Sequence, residues 1–186
     1  MSKVWCAIAL AATLLAGCSA DGGGSAGDGA GLPGPLPDGV AFAAPPSSAP
    51  QAPEFEFDLL GGQRTAVADQ WDERPVVLVF FESWCDLCRE QQGELNELVE
   101  EYRDVIAFLG VAGISDPDDV RVYIDDEDIA YPVGTDPDGK VWRLYSVAEA
   151  PLLAVVSQDG TVIGGWSGTE AVDAVRGTLA EIVIVG

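Results

Sequence analysis

The sequence predicts an α/β fold in which a mixed central sheet carries helices on both faces. Three observations lead there. Strand-like and helix-like patterns alternate from Pro53 onward. The run Val76-Val77-Leu78-Val79-Phe80-Phe81 is apolar without alternation, as a strand covered on both faces requires. The chain then closes with two short strands and a helix, which makes the sheet mixed rather than purely parallel.

Each element has its own signal. Glu54-Phe55-Glu56-Phe57-Asp58-Leu59 alternates polar and apolar residues like a half-buried strand, and Gly61-Gly62 turns it. After the Val76–Phe81 strand, Glu90 to Tyr102 runs at helical spacing, with Leu95, Leu98, Val99 and Tyr102 on one side. Val105 to Val111 reads as a second buried strand. Asp116-Pro117 has the form of an N-cap with proline in the first helical turn, leading into Val120, Tyr123 and Ile124. Leu152 to Val156 and Thr161 to Gly165 flank Ser157-Gln158-Asp159-Gly160, a hairpin signal. Thr169 is placed to cap a last helix through Val172, Val175, Leu179 and Ile182. The order is β-α-β-α-β-β-α.

The segment before Pro53 has a different character. Lys3 precedes an apolar run from Val4 to Ala16, short for a membrane span, and the run ends in Leu15-Ala16-Gly17-Cys18. Residues 1–17 therefore read as a lipoprotein signal peptide. Leu15 to Cys18 resembles the bacterial lipobox, which implies cleavage before Cys18 and acylation of its thiol. An ordinary secretory signal with an incidental cysteine is the alternative. Two or three acyl chains on one residue would give stable anchoring without a transmembrane helix. Of the 34 residues from Ser19 to Ala52, 26 are Gly, Pro, Ala or Ser, too little apolar surface to offset ordering entropy. Residues 18–52 are expected to be a lipidated, disordered tether, and residues 53–186 the folded head.

Composition excludes several functions. With 9 basic against 31 acidic residues the net charge is −22, so phosphate backbones are repelled and nucleic acid is not an expected partner. Histidine is absent, which removes His-dependent triads and His-ligated metal centres. The acidic turns at Asp116–Asp119, Asp125–Asp128 and Asp136–Gly139 lack the spaced calcium loop and its closing glutamate, and read as turns. Trp71, Trp142 and Trp166 read as packing residues.

The chemistry concentrates at Glu82-Ser83-Trp84-Cys85-Asp86-Leu87-Cys88, where strand meets helix. Disulfide exchange needs one accessible thiolate and a second thiol able to displace the captured partner. A helix start favours Cys85 as thiolate and nucleophile, with Cys88 one turn further in as resolving cysteine. A zinc half-site would need further ligands that the chain lacks. A purely structural disulfide remains the alternative, although a loop closed over two residues stabilises little. Trp84 offers apolar surface to a docked chain. Glu82 and Asp86 bracket Cys85 with negative charge, opposing a thiolate there and favouring a reducing dithiol.

Phe80-Phe81-Glu82-Ser83-Trp84-Cys85-x-x-Cys88-Arg89 resembles the cysteine-motif run of TlpA/ResA-like thioredoxin-fold proteins. The resemblance covers about Pro53 to Gly186 and includes Ala150-Pro151-Leu152 ahead of the hairpin. It implies a thioredoxin-like fold and thiol-disulfide oxidoreductase activity without cofactor or metal. It further implies a cis peptide before Pro151, with Ala150 pairing its backbone to a substrate chain; a proline that merely starts a strand is the alternative. The implied partners are exported protein thiols or disulfides and a membrane electron donor, at the extracytoplasmic face of a bacterial membrane. A binding module on the same fold, or an oxidant of exported thiols, are the competing readings. The departures are Val79 where cytosolic thioredoxins hold a carboxylate, Gln91 for a glutamate, Gly93 for a helix-kinking proline, and Asp86-Leu87 between the cysteines. A peroxidatic site fits poorly, because the proline and threonine expected ahead of its cysteine are missing.

Overall fold

The structure is a computed structural model and describes residues 33–71 and 73–185. The expected signal peptide, Cys18 and the first part of the expected tether lie outside the described residues. The elements are β1 (Val40–Phe42), β2 (Glu56–Asp58), β3 (Arg64–Ala66), α1 (Ala68–Trp71), β4 (Val76–Phe81), α2 (Asp86–Tyr102) and β5 (Ala107–Ala112). They continue with α3 (Pro117–Asp126), β6 (Val133–Thr135), α4 (Lys140–Leu144), β7 (Leu152–Val156), β8 (Val162–Ser167), α5 (Ala171–Ile182) and β9 (Val183–Val185).

Five strands form the central sheet in the order β6-β5-β4-β7-β8. The first two pairings around β4 and β5 are parallel, and β7 returns antiparallel to both β4 and β8. The mixed sheet is therefore as expected. Every residue of β4 is buried, because its side chains feed two cores in alternation. Val77, Val79 and Phe81 join α2, α3 and α5 on one face, through Leu95, Leu98, Tyr123, Val175 and Leu179. Val76, Leu78 and Phe80 join Phe55, Phe57, Trp71 and Val141 on the other, under the β2–β3 hairpin, α1 and α4. This is the thioredoxin-like arrangement.

Several sequence expectations need correction. The last part of the presumed tether is structured: β1 pairs antiparallel with β9, Gln51 bridges to Thr161, and Ala52 is buried. Buried Arg74 reaches back to the Gly34 carbonyl. The reason is local. Val40-Ala41-Phe42 supplies backbone and side-chain partners that β9 would otherwise lack, a detail that bulk composition averages away. Thr169 does not cap α5; Glu170 holds that position without a side-chain cap bond. Val105 belongs to the turn closing α2, since its amide bonds to Tyr102 O, and β5 begins two residues later. Strands β3 and β6 and helices α1 and α4 are too short to show a period.

The acidic turns do structural work. Asp116 accepts from the Asp118 amide at 2.9 Å and caps α3. Buried Asp136 accepts from the Lys140 and Trp142 amides at 2.8 and 2.9 Å, ordering α4. Trp71 packs in the core, and Trp166 covers Gly164, where a Cβ would lie 2.4 Å from the ring.

Candidate active site

Strand β4 delivers its C-terminal end to the start of α2, and the cysteines fall at that junction. Cys85 is the N-cap residue, extended at φ −81° and ψ 106°. Its sulfur accepts the Cys88 amide at 3.0 Å, so a backbone donor left free at the helix start points at Cys85 Sγ. The two cysteines form a disulfide with Cα atoms 5.3 Å apart. Both are largely buried, at 8% and 4% exposure. They differ in access: Cys85 lines a cavity of about 500 Å³ and Cys88 does not.

That cavity is also lined by Glu82, Trp84, Asp86, Trp142, Glu149 and Ala150. Trp84 is strongly exposed, and its indole N–H donates to Ile114 O at 3.4 Å. Ile114 is equally exposed, so the two side chains make an apolar rim beside Cys85. The Ala150–Pro151 peptide is cis, as the resemblance implies, and brings Ala150 to the cavity.

The contacts of three residues that the sequence reading named escaped it. Glu82 is buried, with Oε1 accepting from the Ile114 amide at 3.2 Å and Oε2 from Ser115 Oγ at 2.8 Å. Ser115 Oγ in turn accepts the Ser83 amide at 3.0 Å, so the strand end and the loop after β5 are tied together. Gln91 is the second. Its Nε2 donates to Gly168 O at 2.8 Å, and the Gly168 amide donates to Pro151 O at 3.2 Å. Gly168 sits at φ +78°, a conformation natural to glycine. Partners 77 residues apart leave no local signal. The third is Arg89, which donates to Glu127 Oε1 at 2.8 Å and Ser83 O at 3.0 Å while lying over the Tyr123 ring. Burial pushes the Tyr123 phenol well above its ordinary range; Glu127 adds to this and Arg89 opposes it. That phenol stays neutral, and the Arg89 charge is engaged by Glu127, Ser83 O and the Tyr123 ring.

A vicinal cysteine pair at this point of this fold defines the class, the thioredoxin-like thiol-disulfide oxidoreductases. The chain belongs to the AhpC/TSA family, whose profile matches residues 49–164. It is 28% identical over 115 residues to the thioredoxin-like protein YneN of Bacillus subtilis, covering 60% of this chain and 66% of that one. Identity to the thiol-disulfide oxidoreductase ResA of Bacillus thuringiensis is 26% over 134 residues, covering 71% and 76%. Among solved structures, the exposed lipoprotein thioredoxin of Streptococcus pneumoniae superposes with a TM-score of 0.61 at 26% identity, over 69% of this chain and 99% of that one. This protein is likewise an enzyme of thiol-disulfide exchange.

Proposed function

We propose that the protein is a lipid-anchored, extracytoplasmic dithiol that reduces disulfides of exported proteins. One observation carries the reading: Cys85 caps α2 and lines an open cavity, while Cys88 lies behind it. The Cys85 thiolate attacks a client disulfide, forming a mixed disulfide and releasing one client thiolate. Cys88 gives up its proton and attacks the Cys85 sulfur, and the client's second sulfur leaves as a thiolate. Two electrons pass to the client, both client sulfurs are protonated, and the Cys85–Cys88 disulfide forms. A membrane-borne dithiol donor then returns two electrons. Trp84 offers apolar contact, and the backbone at Ala150 and Pro151 holds the client chain.

The anchor is acylated Cys18 behind signal peptide 1–17, and the chain between Cys18 and β1 leads to the folded head, which β1 joins through β9. Its support is the Lys3, apolar-run and lipobox sequence, together with the similarity to an exposed lipoprotein. No helix among the described residues is long and apolar enough to cross a membrane.

The reducing direction rests on Glu82 and Asp86, whose negative charges disfavour a thiolate at Cys85 and hence the reduced form's special stability. The opposite reading, an oxidant, is favoured by the Cys88 amide 3.0 Å from Cys85 Sγ. Equilibration with glutathione separates them: a potential below about −200 mV supports the reductant, and one above it the oxidant. Cys88→Ser should trap mixed disulfides through Cys85; trapping only in the Cys85→Ser variant reverses the roles. Cys18→Ala should move the protein out of the membrane fraction or leave it unprocessed, and an unchanged membrane fraction removes the anchor.

A further inference from the structure

Two bare apolar side chains stand on the turns beside Cys85, Trp84 at 69% exposure and Ile114 at 70%. One follows β4 and the other follows β5, 30 residues apart in sequence. The strand ladder ends short of both. β4 and β5 pair as far as Phe81 and Ala112, and the Gly113 amide donates to Phe81 O at 3.0 Å. Beyond that point, side chains join the two turns.

Ser115 Oγ is the hub of that join. It accepts from the Ser83 amide at 3.0 Å and donates to Glu82 Oε2 at 2.8 Å. Glu82 Oε1 accepts from the Ile114 amide at 3.2 Å, so the carboxylate spans both turns. A Cβ on Gly113 would lie 2.6 Å from that oxygen, and glycine there leaves room for it. Glu82, Ser83 and Ser115 are all buried. Stability alone does not call for such a tie. A buried carboxylate carries a desolvation cost, and well-packed apolar side chains would join two turns at less. Glu82 has no cationic partner among the described residues to offset that cost. What the polar network adds is direction, because each bond fixes a backbone group next to an exposed side chain.

We propose that Ser115 is a positioning residue of the exchange reaction: with Glu82 it holds Trp84 and Ile114 as a preformed rim against which the client chain docks. Ser115 does not line the Cys85 cavity, so its effect reaches the client through the two turns it joins. A rim fixed beforehand loses less freedom when a client settles on it, which tightens docking without touching the sulfur chemistry. The proposal rests on the exchange reading above, and its test separates the two.

The pre-reduced full chain is mixed with a disulfide peptide carrying leucine beside its cysteine, or with 2-hydroxyethyl disulfide, which has no side chain to lay on the rim. Single-turnover oxidation of Cys85–Cys88 is followed by alkylation and mass over a series of concentrations. Ser115→Ala should raise the half-saturating peptide concentration about fivefold, the scale of one hydrogen bond. Its limiting rate and its rate with 2-hydroxyethyl disulfide should stay as in the wild type. The double variant Trp84→Ala, Ile114→Ala should also weaken half-saturation. Adding Ser115→Ala to it should cost less than about twofold more, since no rim is left to hold. Glu82→Leu should match Ser115→Ala in half-saturation, and it carries the test if Ser115→Ala fails to fold. Glu82→Gln keeps an acceptor for the Ile114 amide and offers Ser115 Oγ a donor, so its half-saturation should stay near the wild-type value. Unchanged half-saturation in Ser115→Ala overturns the positioning role. So does equal loss with both disulfides, a full fivefold effect in the rimless background, or a Glu82→Gln variant as weak as Glu82→Leu. Loss of fold in both Ser115→Ala and Glu82→Leu assigns the tie to stability and overturns the role as well. All of these leave the exchange chemistry standing. No reaction of the wild type with either disulfide overturns the exchange reading and the positioning role with it.

Discussion

Gln91 shows how one side chain can set the geometry of a site it does not enter. Its amide N–H holds Gly168 O, and Gly168 holds Pro151 O, so two hydrogen bonds fix the proline loop relative to the redox helix. Gln91→Leu removes the donor and costs about 1 kcal/mol of stability, readable by urea unfolding. The larger effect should be on clients: KM for a protein disulfide rises about fivefold as the proline loop loosens, on the scale of one lost hydrogen bond. The Cys85–Cys88 potential should stay unchanged, because the Cys88 amide and the helix start are untouched. A potential that moves with KM assigns Gln91 to the chemistry instead. At this scale the sequence was legible for the cysteine pair at the start of α2, whose placement depends on neighbours within one turn. It was silent on the burial of Glu82, whose partners Ile114 and Ser115 lie 32 and 33 residues away.

Helix α2 runs unbroken from Asp86 to Tyr102 through Gly93, where the resemblance leads one to expect a kinking proline. A Cβ at Gly93 would meet nothing within 4 Å, so no packing contact requires the glycine. Gly93→Ala should therefore stabilise the protein by about 0.5–1 kcal/mol through backbone entropy, seen as a higher midpoint in urea. A destabilised variant would mean that α2 needs flexibility at this turn. Gly134 makes the contrast, since a Cβ there would lie 2.1 Å from the Phe57 ring. Elements of this length are what sequence periodicity finds: α2, β4 and α5 each offer two or more turns or a full run of apolar residues. The three-residue strands β1, β3 and β6 do not, because their formation depends on a partner strand rather than on their own pattern. The β1–β9 pairing is the clearest case, closing residues 40–42 onto residues 183–185.

The net charge of −22 acts on the molecule as a whole. Seven ion pairs are present among the described residues, and most join exposed side chains at the surface. Pairs of that kind contribute at most about 1 kcal/mol each and lose strength as salt rises. Repulsion among the remaining carboxylates is screened by the same ions, and with 31 acidic groups against 9 basic ones it is the larger sum. Salt should therefore stabilise this protein, although in one with balanced charge it would be nearly neutral. Raising sodium chloride from about 0.01 M to about 0.3 M shortens the screening length from about 30 Å to less than 10 Å, within the size of the head. The thermal midpoint should climb steadily over that range and then flatten, as calorimetry would record. A midpoint that falls with salt would mean that the ion pairs outweigh the repulsion. The same titration should slow reduction of a lysine-flanked peptide relative to a neutral one, because attraction to the acidic surface is screened together with the repulsion within it.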